Sequence, residues 1–421
     1  MNKLYRFAAA AAALTIAASA TSCASPDAIT FGKGAQKAMT IDGYEIPAGV
    51  FVYNEIYAYN NAAYTVYAQD GTYPSVADVK AAKLDNLDAT DWIQNKATEF
   101  CIDFVATERE FEKIGGQLSE DQLTEIDLAV SSSAENTLFS ENGVGEESIR
   151  KIIENSYKQE EVFKHYYGLD AEKGCSEDEL KDYFKDKTAR VRYFSVNLED
   201  NEGNKFDDDK IHEITKLVDG YVKEINAEKT NDKKMEKIVE CEKKYNEYLA
   251  KEEEKAAAEA AAEAEENGEE VTTTAATTTA AAETTTTTTE KYYGEVTVTK
   301  YTTTAADTDT ETTETEAAEE SDYQKSRREY SEFVFGKLEN YKAEKYQYDD
   351  TTLYVVIKGD IEERMTDDDM WSEDSIESLL SERYYSDFQD MMKKIAETYT
   401  AEKNSSAFRK FSPFKLILEE K

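Results

Sequence analysis

The side chains that most often carry out chemistry in enzymes are scarce in this chain. Its 421 residues include 2 histidines and 4 cysteines. His165 and His212 lie in charged helical stretches, a pattern that favours the surface over a metal ligand or a general base. Cys101 falls on an apolar helical stripe, as a small core residue does. The cysteines also lack the spacing of a zinc site or a disulfide framework.

Acidic side chains, by contrast, are so numerous that the sequence does not identify any one pair as catalytic. The chain has 89 aspartates and glutamates against 49 lysines and arginines, a formal net charge of −40. Such a surface repels nucleic acid and attracts cationic partners. The triplets Asp207–Asp209 and Asp367–Asp369 lack the glycine turn of a calcium loop, and we predict that both are helix N-terminal charges. We therefore expect no metal, no cofactor and no nucleic-acid partner.

The fourth cysteine, Cys23, has chemistry of a different kind. Lys3 and Arg6 precede an apolar run over residues 7–18 that is too short to span a bilayer and fits the apolar region of a signal peptide. The residues Ala20-Thr21-Ser22-Cys23 resemble a lipobox, where bacterial lipoproteins are cleaved and acylated. We predict a lipid-anchored protein on the extracytoplasmic face of the cell membrane; the alternative is an ordinary cleaved signal peptide.

After this N-terminal segment, the spacing of apolar residues predicts a mostly helical region. Asp42-Gly43 is a turn signal, and Pro47 suits the first turn of a helix. Apolar residues then recur at three- and four-residue steps over 76–114, which predicts one long helix ending at Gly115-Gly116. Ser119 begins a capping-box pattern for the next helix.

Farther along, the period changes to that of strands. Residues 188–198 and 351–358 read as strands, and residues 267–322 are low-complexity threonine, alanine and acidic sequence without the content for a core. Within that stretch, Gly294–Tyr301 is predicted to be at most an isolated hairpin arm. The predicted organisation is a signal peptide (1–22), a lipidated tether (23–36), a helical domain (37–186, completed by a C-terminal helix and tail at 371–418), two halves of a small sheet domain (187–250 and 325–362), and between them a charged helix extension with the disordered insertion (251–324).

This order of elements resembles the exported foldases of the SurA and PrsA type. The resemblance includes the early Asp42-Gly43 turn, the helix from Pro47, the long helix ending at Gly115-Gly116, and Ser176–Phe184 as the helix before the second domain. It implies an α+β, mostly helical fold. In this fold a helical chaperone domain, on which the C-terminal helix packs, precedes a small α/β parvulin-type peptidyl-prolyl isomerase domain.

The resemblance also implies where an isomerase site would lie. Parvulins lower the barrier to peptide-bond rotation, about 18–20 kcal/mol for an ordinary amide, by binding the twisted amide in an apolar pocket. Two histidines on adjacent central strands back that pocket. Here Tyr193 stands at the first expected position, and Val355 or its neighbour Tyr354 stands at the second. Phe333 or Phe335 would supply the aromatic wall.

Tyrosine is the other unusual feature, with 28 in the chain. Its ring gives apolar contact and its hydroxyl a polar tip, so a tyrosine-lined cradle suits extended polypeptide. We predict Tyr53, Tyr57, Tyr166 and Tyr384 as client-binding residues. The alternative is that they lie at the edges of the core.

Three functions therefore stay open. The first is a membrane-anchored chaperone or foldase for unfolded or newly exported polypeptides, attached to the bilayer through acylated Cys23, with a parvulin-like domain that lacks its histidines. The second is an active peptidyl-prolyl isomerase. The third is a surface scaffold or adhesion lipoprotein, and self-association is also open.

Overall fold

The structure is a computed structural model that describes residues 37–134, 136–200, 203–267, 292, 294–301, 321–416 and 418. It is mostly helical with small antiparallel sheets, which confirms the α+β class. The predictions for Cys23, for the tether 23–36 and for most of the threonine-rich insertion lie outside the described residues. The chain divides into two compact units, Met1–Leu180 with Ile376–Lys421, and Lys181–Ser375. They are called unit 1 and unit 2 below.

Unit 1 is mostly helical. Its small sheet joins β1 (Lys37–Ile41), β2 (Tyr44–Pro47) and β9 (Ala401–Lys403). Its helices are α1 (Ala48–Asp70), α2 (Val76–Ala81), α3 (Ala89–Lys113), α4 (Glu120–Ala134), α5 (Thr137–Glu141), α6 (Glu146–Tyr167), most of α11 (Glu373–Ala396) and α12 (Ser405–Lys410). A large apolar cluster lies around α1 and α3, and a smaller one lies between α4 and α6. A helix that begins in unit 1, α7 (Glu177–Lys187), continues into unit 2.

The predicted single helix over 76–114 is wrong. After α2 the chain forms a two-residue hairpin between β3 (Lys83–Leu84) and β4 (Leu87–Asp88), and α3 starts only at Ala89. The turn residues Asp85 and Asn86 have φ values of 49° and 64°. Both are residue types that tolerate the left-handed region and favour such a tight turn, so this local signal overrides the apolar spacing.

Unit 2 is organised by a four-stranded antiparallel sheet. Its order is β6 (Val296–Thr299), β5 (Thr188–Asn197), β8 (Thr352–Gly359) and β7 (Glu344–Gln347), so β5 and β8 are the adjacent central strands. The helices of this unit are α8 (Asp208–Ala227), α9 (Asn231–Asn267) and α10 (Asp322–Gly336). The segment predicted as an isolated hairpin arm is therefore corrected: it supplies β6, whose Val298 pairs with Ala189.

Strand alternation gives this sheet two different faces. On one face, Phe194, Val196 and Val355 pack with apolar residues of α8 and α9 such as Val218 and Ile238. This is the helix-covered face. The other face carries Ala189, Val191 and Val356, and packs against α10 through Phe333 and Val334. It also carries a group of tyrosines, and is called the tyrosine face.

Candidate functional site

Five tyrosines converge on the tyrosine face from separate parts of the chain. Tyr193 is on β5, Tyr354 on β8, Tyr346 on β7, Tyr348 just after β7, and Tyr330 on α10. In the strand register Tyr193 lies opposite Val356, and Tyr346 lies opposite Tyr354. Cross-strand and diagonal neighbours on one face are within reach of aromatic rings, so the pairing of the strands assembles the cluster.

The rings form a continuous aromatic surface. The ring centroids of Tyr193 and Tyr354 are 4.8 Å apart, and those of Tyr348 and Tyr354 are 4.7 Å apart. Tyr330 lies behind them, 5.3 Å from Tyr346 and 5.4 Å from Tyr354. These separations are within the range of favourable aromatic contacts. Because Tyr193 is 37% exposed and Tyr330 only 9%, the cluster has an accessible front and a buried back.

The back of the cluster contains a buried polar group. The hydroxyl of Tyr330 has no hydrogen-bond partner in the described parts of the chain. Burial, with the neighbouring Tyr193 and Tyr354, raises its pKa well above the usual range. Burial followed by Tyr193 has the same effect on the pKa of Tyr354. Both phenols therefore stay neutral, and remain hydrogen-bond donors, at any physiological pH.

Carboxylates lie near the half-buried rings of Tyr346 and Tyr348. After burial and the neighbouring Tyr323, Asp349 is a further cause of the raised pKa of Tyr348, and Arg327 opposes the rise more weakly. Glu329 is the second cause, after burial, for Tyr346. Negative charge close enough to disfavour a phenolate also favours a cationic ligand over an anionic one.

Of the two residues considered for the second position, Val355 does not lie beside Tyr193. Val355 lies opposite Phe194 and is fully buried on the helix-covered face. Since side chains alternate along a strand, Tyr193 and Val355 point to opposite faces and share no pocket. The neighbour Tyr354 is the residue whose ring contacts Tyr193.

Of the two phenylalanines considered for the aromatic wall, Phe333 contributes to the tyrosine face. Its ring stacks on Tyr346 with centroids 4.5 Å apart. Phe335 is half-buried and packs at the margin of the same apolar cluster, under the ammonium group of Lys300, with no ring contact to the tyrosines among the described residues. The structure thus brings Tyr193, Tyr354 and Phe333 into one cluster.

The histidines and Cys101, the other residues considered for chemistry, lie outside the tyrosine face. His165 on α6 and His212 on α8 are both exposed, and neither is on a strand. Cys101 is buried, and its sulfur accepts a hydrogen bond from Asn54 at 3.4 Å. Burial raises the pKa of the Cys101 thiol to about 12, which removes it as a nucleophile.

The four tyrosines predicted to bind clients are all half-buried in unit 1. Tyr53 packs on Phe139 and Tyr57 on Phe100, with centroids 4.9 and 5.3 Å apart. The Tyr166 hydroxyl donates a hydrogen bond to Glu110 at 3.1 Å, and the Tyr384 ring is 5.7 Å from that of Tyr167. Each one therefore contacts a different partner instead of joining one surface.

Three more exposed tyrosines lie together at the end of α1. Tyr64, Tyr67 and Tyr73 are 56%, 41% and 75% exposed. Their successive centroid separations are 6.2 and 6.3 Å. This exposed tyrosine row is local in sequence and has no buried back, unlike the tyrosine face.

A buried ionic cluster lies in unit 2, on the side of the sheet opposite the tyrosine face. The sequence analysis does not predict it. Arg190 and Arg192 on β5 and Arg364 surround Glu295, at 3.5, 3.8 and 3.8 Å. Arg190 also donates to Glu363 at 2.8 Å. Burial raises the pKa of Glu295, and the three guanidinium groups oppose that rise. A cleft of about 590 Å³ lies beside this cluster, but because the cations already have partners, the arrangement is that of an internal ion network.

The two acidic triplets have different structural roles. Asp207 is the N-cap of α8 and accepts the backbone N–H of Lys210 at 2.8 Å, as the sequence predicts. Asp369 lies in a turn and accepts two hydrogen bonds from Arg364, at 2.8 and 2.9 Å. The prediction of a helix N-terminus at the second triplet is therefore wrong.

Comparison of the chain with family models, with curated proteins and with solved structures gave no match. Among the described residues, no three or more histidine, cysteine or acidic side chains are arranged to hold a metal ion. Within the same residues, no helix has both the length and the apolar character needed to cross a bilayer.

Proposed function

We propose that this protein is a lipid-anchored extracytoplasmic chaperone that binds unfolded, newly exported polypeptides through the tyrosine face. In this proposal unit 2 is a parvulin-like domain that binds extended segments but lacks the histidines of an isomerase. The observation that carries the proposal is the cluster in which exposed Tyr193 contacts half-buried Tyr354 and Tyr354 contacts half-buried Tyr348, with buried Tyr330 behind them.

The order of elements in unit 2 supports the parvulin-like part. A first strand, β5, is followed by the two helices α8 and α9, and β8 lies beside β5 at the centre of the sheet. The resemblance places its two histidines on adjacent central strands. Tyr193 and Tyr354 occupy adjacent central strands and contact each other, so aromatic rings stand where imidazoles are expected.

The chemistry of the tyrosine face suits an unfolded segment. Tyrosine offers a large, rigid contact area at low cost in conformational entropy, and its hydroxyl can donate to a peptide carbonyl. Acidic neighbours such as Asp349 favour segments with lysine or arginine. A surface of this kind binds many sequences weakly, as a chaperone that works without ATP requires.

Aggregation of a cationic client tests the proposal. Lysozyme reduced with dithiothreitol unfolds and aggregates, and an equimolar amount of this protein should suppress most of the light scattering. The double variant Tyr193→Ala/Tyr354→Ala should lose at least half of that suppression. A matched control, Tyr64→Ala/Tyr67→Ala, removes two exposed tyrosines from unit 1 and should keep it. No suppression by the wild type would contradict the proposal.

Isomerase activity is the second candidate, because paired rings on adjacent central strands could still bind a twisted amide. A refolding reaction limited by proline isomerisation separates the two functions. The proposal predicts no acceleration above the uncatalysed rate, since no imidazole lies in the cluster. Acceleration that disappears in Tyr193→Ala/Tyr354→Ala would establish an isomerase instead.

The proposed anchor is tested separately in cells. Metabolic labelling with a fatty acid should mark the wild type and leave Cys23→Ala unlabelled, and the variant should leave the membrane fraction. A labelled or membrane-bound Cys23→Ala would contradict the anchor without affecting the proposed client binding.

A further inference from the structure

One edge of the sheet in unit 2 is open. Strand β6 lies at the end of the strand order, and among the described residues no other strand pairs with its outer side. Val296, Thr297 and Thr299 are exposed. An edge of this kind presents unpaired N–H and C=O groups that can pair with another chain.

The hydrogen-bond pattern identifies the backbone groups that point away from β5; the N–H of Tyr301, just after the strand, donates to the Ser331 hydroxyl of α10 at 2.7 Å. The Lys300 N–H donates to the Lys187 carbonyl at 2.8 Å, and this pair continues the register in which Thr299 lies opposite Thr188. Hydrogen-bonded and non-hydrogen-bonded pairs alternate in an antiparallel ladder. Therefore Val296 and Val298 direct their backbone groups to β5, and Thr297 and Thr299 direct theirs outward.

The opposite edge of the sheet differs in its charges. Strand β7 has the sequence Glu-Lys-Tyr-Gln, and its Lys345 forms an ion pair with Asp219 at 2.7 Å. Charged side chains on an edge strand discourage pairing with a further strand. Strand β6 has the sequence Val-Thr-Val-Thr, with high β-propensity and no charge or proline. Of the two edges, β6 therefore lacks the usual protection.

We propose that the outer edge of β6 binds an extended client segment as a fifth strand. Main-chain hydrogen bonds to Thr297 and Thr299 would hold the segment whatever its sequence. Its side chains would alternate between the two sides of the sheet. This inference rests on the proposed chaperone function and adds how the client backbone is bound.

The surroundings of β6 define the client segment. Val298 packs with the apolar residues below the tyrosine face, and Val296, on the same side of the strand, is 41% exposed. Apolar side chains of the added strand would lie next to Val296, and polar ones next to Thr297. The net charge of −40 disfavours a second copy of this chain at the edge and favours a cationic partner. The expected client is therefore an extended segment with alternating apolar and basic residues.

A ten-residue fluorescent peptide of alternating valine and lysine tests the inference by fluorescence anisotropy. Proline at an edge position with an outward N–H is compatible with a strand, so Thr297→Pro should fold but lose at least tenfold in peptide affinity. Thr297→Val changes only the side chain and should bind like the wild type. Two further peptides of the same sequence carry N-methyl groups, one on the odd-numbered residues and the other on the even-numbered residues. One of the two should bind the wild type more weakly, because its methyl groups block the N–H groups that face β6. This comparison uses only the wild-type protein and so does not depend on the folding of a variant.

The outcomes separate the edge from the proposed function. If Thr297→Pro and both N-methylated peptides bind as tightly as their controls, while Tyr193→Ala/Tyr354→Ala fails to suppress lysozyme aggregation, the edge proposal falls and the chaperone proposal stands. If the wild type neither binds peptide nor suppresses aggregation, both fall. A wild type that is dimeric in sedimentation and becomes monomeric in Thr297→Pro would assign the edge to a second copy. Peptide binding that appears only after residues 270–290 are deleted would assign it to the chain's own threonine-rich segment. Either assignment overturns the edge proposal.

Discussion

The two faces of the sheet in unit 2 use neighbouring residues of the same strand for different purposes. Phe194 is 4% exposed on the helix-covered face and contacts Tyr221 and Tyr245. Tyr193, the preceding residue, is 37% exposed on the tyrosine face. Helices α8 and α9 cover the first face, whereas α10 is the only described helix that packs on the second. Covering one face fully and the other partly lets the sheet remain stable while it keeps an accessible aromatic surface.

The largest expected effect is the loss of Phe194 from the covered face. Phe194→Ala should lower the free energy of unfolding of unit 2 by about 3–5 kcal/mol, because it removes a buried ring and leaves a cavity. Tyr193→Ala should cost about 1 kcal/mol or less in stability and lower client binding. In a Trp92→Phe background Trp371 is the only tryptophan, so its fluorescence during urea unfolding reports unit 2. Equal stability losses in the two variants would remove the distinction between the faces.

The second-largest expected effect is the loss of the buried carboxylate of Glu295, which lies on the helix-covered side of the sheet. Glu295→Gln should cost about 3 kcal/mol, since it leaves three buried guanidinium groups with one carboxylate fewer. Glu332→Gln is the control: that side chain is 65% exposed in its ion pair with Arg328 in the same unit, so its loss should cost about 1 kcal/mol or less. The same urea titration compares them. A Glu295→Gln protein as stable as Glu332→Gln would mean that the ion network does not stabilise this face.

The third prediction concerns Glu55, a buried acid in unit 1 that, unlike Glu295, is not surrounded by arginines among the described residues. Glu55 is fully buried, and neither of its carboxyl oxygens has a hydrogen-bond partner. Burial raises its pKa to about 9. The Gln94 side chain opposes the rise, but its amide donates to the Phe408 carbonyl at 3.0 Å and does not meet hydrogen-bond geometry with Glu55. The folded state therefore keeps a proton that the unfolded state releases above about pH 4.5. Stability should fall by about 1.4 kcal/mol per pH unit as the pH rises from there to about 9.

Glu55→Gln should remove this slope. In a Trp371→Phe background the fluorescence of Trp92 reports unit 1. Between pH 6 and pH 8 the protein with Glu55 should lose about 3 kcal/mol more than its Glu55→Gln counterpart. Parallel losses in the two proteins would show that Glu55 has a partner, as Glu295 does.

The smallest expected effect concerns the back of the tyrosine face. Because no described residue forms a hydrogen bond with the buried Tyr330 hydroxyl, Tyr330→Phe should raise stability by about 1 kcal/mol. Client binding should stay unchanged, since the accessible rings are those of the neighbouring tyrosines. A destabilised Tyr330→Phe would mean that the hydroxyl is bonded in the native protein.

The sequence predicts the elements that have strong local patterns. The predicted strands at 188–198 and 351–358 correspond to β5 and β8, because both are long runs of β-branched and aromatic residues. The sequence does not predict β6 as part of the sheet, because its Val-Thr-Val-Thr sequence lies among threonine repeats and its pairing partner, β5, is distant in the chain. The turn at Asp85-Asn86 had a local signal, which the apolar spacing on either side concealed.

The candidate site was harder to predict because it depends on contacts between distant parts of the chain. Tyr193 was singled out from its position on the first strand, but its contacts come from residues more than 130 positions later. The choice between Val355 and Tyr354 depends on a one-residue register, which only the paired strands define. The ion network likewise joins Arg190 to Glu295, 105 residues apart.

The most direct test of the account is site-specific photo-crosslinking to an unfolded client. The photoreactive residue p-benzoylphenylalanine replaces Tyr193 in one protein, and in the control it replaces Leu128, which is 69% exposed in unit 1. Each protein is irradiated with reduced, alkylated lysozyme. The account predicts a strong crosslinked band from position 193 and little from position 128. Equal crosslinking from both positions, or none from position 193, would contradict the claim that the tyrosine face binds clients.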